Sequence, residues 1–108
     1  MAQTIDAGLV ARSFKAMADP TRQRILLLLQ ERKRSVGELV EEFDISQPAI
    51  SRHLAVLKNG GLVTDQREGQ QVYYSLDVKG LLTCLTGCFG QFECCAPLFG
   101  SIVDEAKE

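Results

Sequence analysis

The sequence predicts a mainly α-helical domain carrying a β-hairpin wing, a winged helix-turn-helix. Three observations predict it. Two amphipathic segments, "SVGELVEEF" and "QPAISRHLAVLKN", are separated by only the three residues "DIS". A two-stranded hairpin, "LVTDQRE" then "QQVYYSL", follows at once. Apolar helices flank the unit on both sides. Helix, tight turn, helix and appended hairpin is the order of that fold.

A chain of 108 residues holds one domain with a single modest core. No repeat or linker divides it, so residues 1–108 are read as one unit. The helix-turn-helix falls at about 35–59, the wing at about 62–76, and the last helix with its cysteines at about 77–97. The first helix starts near Asp6 and places Val10, Phe14 and Met17 on one face. In "ADP", Asp19 is an N-cap and Pro20 suits the first helical position, where its missing N–H costs nothing. The next helix, "TRQRILLLLQER", has five successive apolar residues from Ile25 to Leu29, which predicts burial of most of its circumference.

Ser35 and Glu38 have the spacing of a capping box, and Val36, Leu39, Val40 and Phe43 then form an apolar stripe. The fourth helix is capped by Ser46 and stopped by Gly60–Gly61. Its wheel sends Ile50, Leu54 and Leu57 into the core. The hairpin turns at Glu68–Gly69, with Val72, Tyr74 and Leu76 on one face and Tyr73 on the other. A last helix begins near Asp77 and carries Leu81, Leu85 and Phe92.

The circumference of the fourth helix left outside the core suits a major groove: small residues allow close approach and polar ones read bases or grip phosphate. The candidate contacts to double-stranded DNA are Ser46, Gln47, Pro48, Ala49, Ser51, Arg52, His53 and Lys58, with Arg67, Gln70, Gln71 and Tyr73 on the wing. Arg52 suits guanine or phosphate, Gln47 and Ser51 hydrogen bonds, and His53 a packing or phosphate-contacting role. Net charge is −2, but Arg22, Arg24, Arg32, Lys33 and Arg34 make the second segment basic, while Glu93, Asp104, Glu105 and Glu108 make the tail acidic. A locally positive face attracts phosphate despite the net charge. The sole histidine lies on the fourth helix and no phosphate-cradling glycine loop is present, so the sequence excludes an enzyme.

All four cysteines, Cys84, Cys88, Cys94 and Cys95, fall within "CLTGCFGQFECC". No signal-peptide core or bilayer-spanning run is seen, which predicts a cytoplasmic protein with reduced thiols and no membrane partner. Clustered thiols there point to metal or redox chemistry. On one straight helix Cys84 and Cys95 stand about 16 Å apart, whereas sulfurs sharing an ion stand about 4 Å apart. Gly87, Gly90 and Pro97 allow a bend, so the helix is expected to end near Gly90, with "FECCAP" folded back or reaching another subunit.

"MADPTRQRILLLL", "VGELVEEFDISQPAISRHLAVLKNGGLV" and "REGQQVYYSL" resemble the ArsR/SmtB family of bacterial transcriptional repressors, from about Phe14 to Leu76. The resemblance implies a homodimer joined through its first and last helices, with two recognition helices in adjacent major grooves of a pseudo-palindromic operator. It also implies an inducer that lowers DNA affinity. The family's cysteine site on the third helix resembles "ELCVCDL", and "ELVEEFD" stands here without a thiol. Sites using cysteines on the second helix, the recognition helix or the N-terminus, or histidines on the last helix, lack their residues as well.

The C-terminal cluster remains. Soft thiolates without histidine favour soft ions. Trivalent arsenic or antimony takes three sulfurs, assigned to Cys88, Cys94 and Cys95, with Cys84 a doubtful fourth that also suits core packing. Adjacent cysteines with a third thiol nearby are similar to arsenite sites at the C-terminal end of some family members, although here the third thiol comes first. Cadmium, lead or zinc on four sulfurs, thiol oxidation or persulfidation, and a repressor with no small-molecule inducer are the alternatives.

Overall fold

The computed structural model describes residues 6–99. The acidic positions Asp104, Glu105 and Glu108 lie outside them. Helix α1 (Ala7–Met17) begins at Asp6, whose carboxylate accepts the Leu9 N–H at 3.1 Å. Its buried residues are Ser13 and Ala16, and Phe14, on the apolar face the spacing marks, is 50% exposed. The reason is proximity. A Cβ on Gly60 would stand 3.1 Å from the Arg12 carbonyl and 3.3 Å from the Ala16 Cβ, so only small side chains fit where α1 crosses this corner.

Helix α2 (Pro20–Glu31) starts as read, with Asp19 accepting the Arg22 N–H at 3.0 Å. Ile25, Leu26 and Leu29 enter the core, but Leu27 is 63% exposed, so the helix is not buried around most of its girth. A short strand that the sequence analysis missed follows: β1 (Arg34–Ser35). Ser35 then caps α3 (Val36–Val40), with both bonds of the capping box present. Helix α3 is shorter than expected. The Glu42 and Phe43 N–H groups bond three residues back to Leu39 and Val40, tightening the chain into a turn. The link to the next helix thus runs from Glu41 to Ser46 rather than through "DIS" alone.

Helix α4 (Gln47–Asn59) matches its expected bounds, and Ile50, Leu54 and Leu57 are fully buried. Gly60 closes it, and Gly61 takes a left-handed backbone (φ +74°) that an L side chain resists. Strands β2 (Val63–Glu68) and β3 (Gln71–Leu76) pair antiparallel from Val63↔Leu76 to Glu68↔Gln71. The β1 residues join the free edge of β3, Arg34 opposite Tyr74 and Ser35 opposite Tyr73, giving sheet order β1-β3-β2. Tyr74 and Leu76 rest against the core.

Helix α5 (Val78–Phe89) is capped by Asp77, which accepts the Gly80 N–H at 2.9 Å. A Cβ at Gly80 would lie 1.8 Å from the Gly61 carbonyl oxygen, so the first turn of α5 sits directly on the corner that ends α4. The helix ends at Gly90, as expected. Phe92, expected on the helix, lies past its end and is 58% exposed. A turn and a short 3₁₀ segment (Ala96–Phe99) follow. Phe14 meets Phe89 edge-on at 6.1 Å, and Phe89 stacks on Phe99 at 6.3 Å. Among the described residues no helix is long and apolar enough to cross a membrane.

Candidate nucleic-acid interface and cysteine cluster

Burying Ile50, Leu54 and Leu57 leaves Gln47, Pro48, Ser51, Arg52, Ala55 and Val56 exposed on α4. The expected contacts divide by what already holds them. Gln47, Pro48, Ser51 and Arg52 are solvent-facing, and Ala49 is half-buried. Ser46 is exposed, but its hydroxyl accepts the Ala49 N–H at 3.3 Å. Lys58 pairs with Asp65 on β2 at 3.0 Å, which ties α4 to the wing. On the wing Arg67, Gln70 and Gln71 are exposed around Gly69 (φ +65°). Tyr73 is half-buried, with the Lys33 ammonium 5.2 Å from its ring centre.

His53 is half-buried and held from below. The Arg22 guanidinium lies 3.1 Å from its Nδ1. Arg22 also donates from Nε to the Ala16 carbonyl at 2.8 Å. Arg22 was missed as a positioning residue, because a hydrogen bond across two helices leaves no mark in local sequence.

The basic segment is not a free positive face. Arg34 is only 6% exposed, donating to the Leu28 carbonyl and to Glu31 at 2.7 Å, with Glu42 at 3.9 Å. Arg32 pairs with Glu38 at 3.5 Å, Lys33 with Glu68, and Arg24 with Glu42 at 3.9 Å. Four of the five cations face a carboxylate, with Glu42 shared by Arg24 and Arg34, and Arg22 is turned to the Ala16 carbonyl and His53, which weakens the local field the sequence suggested. Among the described residues Arg52 and Arg67 enter no salt bridge, and they stay available to phosphate.

The cysteines fall into two pairs. Cys84 is 2% exposed and belongs to the core; burial first, then the neighbouring Cys88 sulfur, pushes its thiol up to about 11. The Ser13 hydroxyl of α1 lies within bonding reach of the carbonyls of Leu9 and Gly60, sharing its one proton between them, and so ties α1 to the end of α4. Cys88 is half-buried one turn on. Cys94, exposed, and Cys95, half-buried, place their sulfurs 3.6 Å apart. The Cys95 thiol is held above its ordinary value by its bond to Cys94 and by partial burial. Among the described residues no three Cys, His, Asp or Glu side chains are grouped to hold an ion, so Cys88 is not gathered with Cys94 and Cys95.

A helix-turn-helix whose second helix exposes a small and polar face, beside a hairpin wing that exposes Arg67 near its tip, defines a winged-helix DNA-binding regulator. Comparison with known proteins places it more closely. Residues 19–65 match the model of the bacterial regulatory protein family arsR. The transcriptional repressor SdpR of Bacillus subtilis is 48% identical over 68 residues, covering 63% of this chain and 76% of SdpR. The arsenic resistance transcriptional regulator ArsR1 of Pseudomonas putida is 50% identical over 64 residues, but these span only 58% of this chain and half of ArsR1. The crystal structure of a possible transcriptional regulator for arsenical resistance superposes with a TM-score of 0.67 at 35% identity, over 90% of this chain and 98% of that one. The chain belongs to the ArsR family of transcriptional regulators, which are not enzymes.

Proposed function

We propose that this protein is a homodimeric repressor that holds a pseudo-palindromic operator through α4 and the wing, and leaves it when trivalent arsenic or antimony binds the C-terminal cysteines. The carrying observation is the connection between the two regions: all four thiols lie on α5 and the segment after it, and the first turn of α5 at Gly80 packs directly on the Gly61 carbonyl at the corner that ends α4. Arg52, Gln47 and Ser51 read bases or phosphate from α4, and Arg67, Gln70 and Gln71 add backbone contacts. The exposed rings of Phe14 and Phe89 border an apolar groove of about 320 Å³ between α1 and α5, which supports dimerisation along these helices.

Inorganic As(III) takes three sulfurs, so Cys88 must be drawn to Cys94–Cys95. The chain between them, Phe89 to Glu93, is the part that moves. Three thiols replace three hydroxyls on arsenic, and each thiol proton leaves in a water. Shifting the end of α5 strains the corner where Gly80 meets Gly61, and with it the attitude of α4. A hundredfold loss of operator affinity requires the ligand to favour the released state by about 2.7 kcal/mol. The experiment is fluorescence anisotropy of the reduced protein on its own promoter fragment, with and without micromolar arsenite. Release that disappears in the Cys94→Ser/Cys95→Ser variant supports the reading. Binding indifferent to arsenite sinks it, and leaves a repressor without this inducer.

A further inference from the structure

Resting on the operator reading of α4, we infer that Pro48, Ala55 and Val56 form an apolar collar around Arg52 that reads the methyl group of a thymine beside the guanine that Arg52 holds. The three residues stand four before, three after and four after Arg52, which makes each its neighbour on the helix surface. All three are exposed, as Arg52 is. Val56 is 39% exposed, whereas Ile50, Leu54 and Leu57, the other large aliphatic residues of α4, are fully buried. Gln47, Ser51 and Lys58, spaced by four and seven, line one flank instead. From Pro48 to Val56 the outermost strip of α4 therefore offers one guanidinium and otherwise carbon.

The start of α4 is poorly suited to phosphate. Pro48 has no N–H, and Ser46 already takes the next two. Its hydroxyl accepts the Ala49 N–H at 3.3 Å, and its carbonyl accepts the Ile50 N–H at 3.1 Å. What Pro48 presents to a groove is carbon. Among the four unmodified bases only thymine displays a methyl in the major groove, and only guanine offers two acceptors to a guanidinium. Arg52 enters no salt bridge among the described residues, so its fork is free for guanine. From Pro48 to Val56 the helix rises about 12 Å, or three to four base steps of about 3.4 Å. A thymine on either side of that guanine falls within the collar's length. Contact takes the methyl and the side-chain carbon out of water together, which stabilises the complex.

The test is fluorescence anisotropy of the reduced protein on its own promoter fragment, prepared with thymine or with uracil in its place throughout. Base pairing is kept and only the methyl groups are lost. The expected result is about tenfold weaker binding to the uracil fragment, from one methyl contact in each half-site. In Pro48→Ser/Val56→Ser the difference should shrink to about twofold or less, with urea titration checking that the variant is folded. Pro48→Ser alone, at an exposed position in the first turn, should close part of the gap. Equal affinity of the native protein for the two fragments overturns the collar and leaves operator binding by α4 standing. A tenfold difference that survives in the folded double variant also overturns it, since the methyls then act through the shape of the duplex. Failure to bind either fragment more tightly than unrelated DNA overturns the operator reading, and the collar with it.

Discussion

The guanidinium of Arg22 on α2 faces Nδ1 of His53 on α4 at 3.1 Å, while its Nε holds the carbonyl of Ala16 at the end of α1. A guanidinium only donates, so Nδ1 is the acceptor and the neutral ring carries its proton on Nε2. One side chain thereby locks three helices and fixes which ring nitrogen of His53 carries the N–H. Arg22→Ala should lower stability by about 1–2 kcal/mol and weaken operator binding further than that loss explains. Arg22→Lys should restore little, because an ammonium does not reproduce the fork. Urea titration and anisotropy on the same samples check both.

Gly80 and Gly69 should respond oppositely to alanine. At Gly80 the new methyl collides with the Gly61 carbonyl, and the displacement of α5 should cost about 3 kcal/mol or more. At Gly69 the space is open and only the φ of +65° resists, for about 1 kcal/mol. Thermal unfolding of the two variants should rank them in that order, and similar losses would contradict the close packing at Gly61.

The Cys84 thiol, pushed up to about 11 mainly by burial, binds its proton more tightly folded than unfolded. Its contribution is complete below about pH 9 and is lost as pH rises toward 11, because the unfolded chain releases the proton first. Unfolding at about pH 8 and about pH 10.5 should show the native protein losing more stability than Cys84→Ala. Equal losses would mean that Cys84 is not buried as a neutral thiol.

On the acid side the Asp19 carboxyl is held below the ordinary range, chiefly by the Arg22 amide it accepts. A depressed folded value stabilises above the unfolded one and is lost as pH falls through the folded one. Asp19→Asn keeps an N-cap acceptor without the charge and should show a shallower decline below about pH 4. Acid titration followed by circular dichroism measures the slope.

Arg52 and Arg34 provide a matched test of the interface. Arg52→Ala should weaken operator binding by about 1–3 kcal/mol and leave folding intact. Arg34→Ala removes a buried cation from the Glu31 and Leu28 bonds and should reduce stability. Anisotropy over a salt series separates the two, since only Arg52→Ala should lower the salt slope.

Helix bounds were legible wherever a cap or a glycine wrote them into the chain: Asp6, Asp19, Ser35, Ser46 and Asp77 all cap as their residue types suggest, and Gly60 and Gly90 stop their helices. The two-residue β1 was not legible, because Arg34–Ser35 is too short for an alternating pattern and sits inside a capping box. Phe14 and Leu27 misled for another reason. Periodicity marks an apolar face but does not say which neighbour covers it, and in this chain both face outward. For the cysteines, helix geometry foretold the break at Gly90. It could not foretell that the chain beyond would keep Cys94–Cys95 apart from Cys88, since that depends on a fold-back with no repeat to read.

Ser35 belongs to two elements at once: it pairs with Tyr73 as the last residue of β1 and caps α3 with its hydroxyl. The wing consequently has no hinge of its own. Swinging the hairpin away from the helices means unpairing a strand and uncapping a helix in one motion, so the stride from wing tip to the outer face of α4 is a property of the folded chain. Under the proposed grip on DNA, such a caliper would sort duplexes by groove shape before any base is read, and one that does not match the stride would have to bend to be held.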